Sequence, residues 1–66
     1  MIKVDALRGE IARNGYSQKD VAKMIGVTPK TFYEKMKNGV FGSDEIEVMI
    51  RTLNIKDPMS IFFATK

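Results

Sequence analysis

YSQKDVAKMIGVTPKTFYEKMKNG, residues 16–39, is the stretch whose reading decides the fold. Ser17 stands where a helix N-cap belongs, and Asp20 three residues on makes a weaker relative of the capping box. Val21, Ala22 and Ile25 then give one apolar face to a helix over about 18–25. Gly26 supplies the turn, Thr28 a second cap, and Pro29 a residue suited to the first helical position, where its missing N–H costs nothing. A second helix follows over about 29–37, and Asn38-Gly39 ends it. Two short helices around a tight turn, in that order of caps and glycine, predict a helix-turn-helix.

The flanks read as helices too. Val4, Leu7 and Ile11 recur at helical spacing over about 4–14, and Gly15 offers a left-handed stop. Ser43-Asp44-Glu45 reads as a cap followed by acids that suit a helix dipole, and Ile46, Met49, Ile50 and Leu53 form an i, i+3, i+4, i+7 stripe. Asp57-Pro58 could open a short fifth helix that buries Met59, Phe62 and Phe63, although Ile61-Phe62-Phe63 suits an extended segment equally well. With no linker, repeat or low-complexity tract, the expectation is a single all-α domain of five helices over residues 1–66.

Composition removes several classes of chemistry. A 66-residue chain with 44% hydrophobic residues is a small globular domain rather than a disordered segment. The chain has no cysteine and no histidine, which excludes disulfides, zinc-finger spacing and imidazole catalysis together. No apolar run approaches the roughly 20 residues that cross a bilayer, and Met1-Ile2-Lys3 leads into a charged, patterned helix rather than a secretory signal. The expectation is a cytoplasmic protein with no cofactor, no membrane partner and no small-molecule ligand.

Charge is uneven along the chain. Residues 17–37 carry five lysines, Lys19, Lys23, Lys30, Lys35 and Lys37, against Asp20 and Glu34, whereas acids outnumber bases over residues 43–66. A basic segment favours a polyanionic partner, with a lysine-rich solvated surface as the plainer alternative. Steps of about 100° per residue place Phe32 and Met36 on one side of the second helix of the pair, facing the core. Opposite them lie Lys30, Glu34 and Lys37, flanked by Thr31, Tyr33 and Asn38. Such a face suits the major groove of B-DNA, with Lys30 near the helix start as the best-placed base reader. Glu34 would be repelled by phosphates but accepts from the exocyclic amine of cytosine; the alternative is a surface pair with Lys30.

These residues carry a resemblance. Ser17-Gln18, Val21-Ala22, Ile25-Gly26-Val27-Thr28 and Asn38-Gly39 resemble the helix-turn-helix of the Cro and phage-repressor family, also called the Xre family. The likeness spans most of residues 4–55 and implies a five-helix, lambda-repressor-like domain that binds double-stranded operator DNA as a symmetric homodimer and controls transcription. It implies a DNA contact for Gln18, at the start of the second helix, and for Thr28, Pro29, Lys30 and Glu34 on the recognition helix. TFYEKMKNG is one residue longer than the usual pattern and resembles a phage-type subgroup in which a phenylalanine follows, here Phe41, with Ile-Phe-Phe near the C-terminus. Pro29 replaces an often polar position and cannot donate a hydrogen bond, which shifts base reading towards Lys30, Thr31 and Tyr33.

The expected base contacts are therefore Thr28, Lys30, Thr31, Tyr33 and Glu34. Backbone contacts fall to Gln18, Lys19, Lys35, Asn38 and the free amides near Ser43, where a helix start can receive an anion. Met59, Phe62 and Phe63 are expected close to a dimer contact, since a domain this small has little room to cover both rings. Competing chemistry is weaker. Ser17, Thr28 and Ser43 lack a histidine partner and sit at cap positions, so no catalytic residue is expected. Asp44, Glu45 and Glu47 suit a helix dipole better than a metal, and Met36 and Met49 fall on inward stripes. Gly39-Val40-Phe41-Gly42 superficially matches the RNA-clamping G-x-x-G loop of KH domains but has no strands around it. The second functional reading is a protein-interaction module, an antirepressor or adaptor on the same scaffold, which Glu34 and Pro29 would suit.

Overall fold

Side-chain caps open α2, α3 and α5, and the computed structural model, which describes residues 2–63, shows five helices: α1 (Val4–Arg13), α2 (Gln18–Met24), α3 (Pro29–Asn38), α4 (Ser43–Thr52) and α5 (Pro58–Phe62). The described residues are all-helical, as the spacing of apolar residues predicts. Leu7 and Ile11 of α1, Val21 and Ala22 of α2, Phe32 and Met36 of α3, and Met49 and Leu53 near and after the end of α4 meet in one core. Phe32, Leu7, Met49 and Leu53 are wholly inaccessible to solvent. Val4, Ile25, Ile46 and Ile50 stand partly exposed at the rim of that core. The α4 stripe therefore divides: Met49 and Leu53 point inwards, while Ile46 and Ile50 border the surface.

Four helix ends depart from the sequence reading, the simplest being α2, which ends at Met24 with Ile25 as its C-cap. Asn14 lies outside α1 as its C-cap, and its side-chain amide donates to Glu10 O at 2.8 Å and to Leu53 O at 2.9 Å. That one side chain satisfies carbonyls at the C-terminal ends of α1 and α4 together. The cap of α4 is Gly42 rather than Ser43, because the Glu45 carboxylate reaches back to accept the Gly42 N–H at 2.8 Å. Lacking a side chain, Gly42 gives nothing in return, so only half of a capping box forms. Helix α3 includes Asn38 and stops at Gly39, whose φ of +70° is a left-handed conformation that favours glycine.

The end of the chain resolves in favour of a helix. Asp57 caps α5 by accepting from Ser60 N, Pro58 takes its first turn, and the Lys3 N–H donates to Ile61 O at 2.8 Å, which ties α5 to the start of the chain. The expected burial of Met59, Phe62 and Phe63 holds only for Phe62, which is in the core with Ile61. Met59 and Phe63 are 64% and 50% exposed. Five residues of helix offer a single inward side, which Ile61 and Phe62 fill, and the i, i+4 pair Met59 and Phe63 turns outwards together.

Candidate nucleic-acid interface

The paired helices α2 and α3 are held by their own caps. Ser17 and Asp20 form a complete box: the Asp20 N–H donates to Ser17 Oγ at 3.1 Å, and the Ser17 N–H donates to Asp20 Oδ2 at 2.8 Å. That second bond, followed by the hydroxyl of Ser17 and the charges of Lys19 and Lys23, holds the Asp20 carboxyl below its ordinary pKa. A depressed carboxyl stabilises the fold at neutral pH, and its contribution fades as pH falls through the aspartate range and ends below the depressed value. Thermal melts of Asp20→Asn against the native protein should therefore differ at pH 7 and converge in strong acid. A difference that persists unchanged in acid would remove this role from Asp20.

The turn between α2 and α3 is tight for a reason that can be read atom by atom. Gly26 adopts φ +80°, and the Val27 N–H donates back to Ala22 O at 3.0 Å. Val27, half-buried, packs against the core. Thr28 then caps α3: the Thr31 N–H donates to Thr28 Oγ1 at 3.2 Å, and the two threonine hydroxyls are hydrogen-bonded at 3.0 Å. The Thr28 hydroxyl is thus committed to the helix start, which leaves Thr31 with more freedom towards a ligand.

Anchored through Phe32 and Met36, α3 turns Lys30, Tyr33, Glu34, Lys37 and Asn38 to solvent, with Thr31 half-buried beside them. The structure brings Lys30, Thr31, Tyr33 and Glu34 onto one outward side of a single helix. Tyr33 is 51% exposed and rests the edge of its ring against Phe32, with centroids 6.5 Å apart at 70°. Lys30 and Glu34 are absent from the ion pairs of the described residues, which are Arg8–Asp5, Arg13–Glu10 and Lys35–Glu45. Lys19 is exposed and Gln18 half-buried at the start of α2.

Two of the expected backbone contacts are placed differently. Lys35 is not a free cation: its Nζ lies 3.2 Å from Glu45 Oε1, with the Lys35 side chain 30% and the Glu45 side chain 14% exposed. Glu45 thereby joins the end of α3 to the start of α4, accepting from Gly42 N and from Lys35 at the same carboxylate oxygen. Ser43 stands beside Asp44 and Glu47 in a groove along α4, and the neighbouring Gly42 amide already has its carboxylate. An anion at this helix start would meet acids first. No periodic signal links residues 35 and 45, so sequence reasoning missed this pair.

Val40, 64% exposed next to the end of α3, also escaped the sequence reading. It is held between Gly39 and Phe41, and its N–H donates to Lys35 O at 3.2 Å. Phe41 is buried, with its ring centroid 5.6 Å from that of Phe32. Among the described residues no group of acids forms a metal site, and no helix is long and apolar enough to cross a membrane.

Residues 10–38, from the second half of α1 to the end of α3, match the helix-turn-helix family described as "Bacterial regulatory protein, Fis family". No curated protein and no solved structure matches the chain. The family match covers somewhat less than half of the chain, and it coincides with the caps, turn and outward face just described. At the level of class, residues 10–38 are similar to the helix-turn-helix of DNA-binding regulators.

Proposed function

We propose that the protein is a small, non-enzymatic transcription regulator of the Cro or phage-repressor kind, which binds specific double-stranded DNA with α3 in the major groove. The observation that carries this reading is the outward side of α3, where Lys30, Tyr33 and Glu34 are exposed and Thr31 is half-buried beside them, on a helix fixed at both ends. Lys30 and Glu34 offer a donor and an acceptor to base edges, and Thr31 offers a hydroxyl. Lys19, Gln18 and Asn38 flank that face and suit phosphates. The longer α3, followed by a buried Phe41 on Phe32 and by the Ile61-Phe62 anchor, supports the phage-type reading. Such a regulator would act in the cytoplasm as a homodimer on DNA, with half-sites about 34 Å apart.

Gel shift against random-sequence duplex at low and moderate salt tests the reading. Binding at low salt that falls steeply as salt rises is the expected result, because lysine contacts release condensed counterions. Absence of binding at low salt would contradict it and would favour the protein-partner reading, to which Glu34 and Pro29 on the same side lend their chemistry.

A further inference from the structure

Helix α4 has a side that meets the core only at its rim, through Ile46 and Ile50. Glu45 faces Lys35, and Met49 and Leu53 face the core. The remaining side carries Ile46, Glu47, Ile50 and Arg51, which with Ser43, Asp44 and Phe63 line an open groove of about 630 Å³. Ile46 and Ile50 are only half-buried, and Phe63 leaves half of its surface exposed at the groove's edge. Neither Glu47 nor Arg51 takes part in the ion pairs of the described residues, although they are spaced i, i+4 in the favourable order. The groove is acidic at the N-terminal end of α4, at Asp44 and Glu47, and basic at the C-terminal end, at Arg51.

We propose that this groove is the self-association surface of the protein, with α4 packed antiparallel against α4 of a second copy about a twofold axis near the level of Met49. Antiparallel pairing sets Glu47 of each copy opposite Arg51 of the other, because their numbers are symmetric about that level. Ile46, Ile50 and Phe63 of both copies then close over the axis. An isologous contact must complement itself, and a helix side with one sign of charge at each end and isoleucines between them does so only when reversed. A different protein would need no such symmetry. The contact shares Phe63 with the C-terminal segment first expected there and replaces Phe62, which is in the core, with Ile46 and Ile50. It leaves the outward side of α3 open, and it stands or falls without reference to DNA.

Sedimentation equilibrium of the full chain at low salt, without DNA, tests it. The native protein should dimerise reversibly. Glu47→Arg and Arg51→Glu, each alone, should weaken association by about tenfold or more, since like charges then oppose each other twice per dimer. Glu47→Arg combined with Arg51→Glu should restore it to within about threefold. Circular dichroism checks that each variant folds. Should Arg51→Glu unfold because it also places an acid in the last turn of α4, Glu47→Arg alone decides. A native protein that stays monomeric to about 1 mM overturns the proposal. So does a dimer indifferent to Glu47→Arg, or two single reversals whose combination restores nothing.

Discussion

Phe32→Ala is expected to unfold the domain or to lower its melting temperature by more than about 15 °C, the largest effect of any single change considered. Phe32 is wholly buried on α3 and touches Phe41 across the turn that follows. Removing a buried phenylalanine ring costs about 3–5 kcal/mol, from lost transfer energy and the cavity left behind. Whole domains are stable by about 5–15 kcal/mol, and one this small sits towards the lower end. Its neighbour is the control. Tyr33 is 51% exposed and meets Phe32 only with its ring edge, so Tyr33→Ala should cost about 1 kcal/mol, well below Phe32→Ala. Melts followed by circular dichroism separate the two, and similar melting temperatures for both variants would contradict the assignment of inward and outward sides of α3.

Lys30→Ala should leave the fold intact and reduce discrimination between a selected operator and random duplex by about 1–3 kcal/mol, or roughly 5- to 150-fold. Lys30 is exposed in the first turn of α3, free of any ion pair among the described residues, and needed by nothing in the core. Lys19→Ala should behave otherwise. A lysine on a phosphate adds affinity for every sequence alike, so its loss should weaken operator and random DNA equally and reduce the salt slope by about 1. Operator sequences for the comparison come from selection out of a random DNA pool. Equal discrimination by the native protein and Lys30→Ala at fixed salt would remove Lys30 from base reading.

Much of the fold was legible because its signals are local. Ser17 and Thr28 accept from amides three residues on, Pro29 acts through its own fixed φ, and Phe32 and Met36 declare an inward side by spacing alone. Two of the places where structure departs from sequence depend on contacts between distant segments. Asn14 bonds a carbonyl 39 residues away, at Leu53, and Lys35 meets Glu45 across a turn. Neither has a periodicity to betray it. Ser43 resembled a cap more than Gly42 did, because an N-cap is read from its own side chain, and here the bond comes from Glu45 instead. Met59 and Phe63 were expected inside on hydrophobicity, but a five-residue helix has one inward side and Ile61 and Phe62 occupy it.

The candidate site follows the same division. Lys30, Thr31, Tyr33 and Glu34 were readable as one outward patch because a single helix carries them all. Lys35 was not, since its partner Glu45 comes from α4, and the same carboxylate takes the Gly42 amide beside Ser43. Glu45 accordingly has two partners and one consequence: it joins the end of α3 to α4, whose opposite side we assign to a second copy.

The central claim is that α3 and the start of α2 form the DNA-facing surface, and amide chemical-shift mapping on addition of a random-sequence duplex at low salt tests it most directly. The largest changes should fall within residues 17–20 and 28–38, with those along α4 from residues 46–51 left small. Changes centred on α4 instead, or none at all under conditions where duplex is in excess, would contradict it.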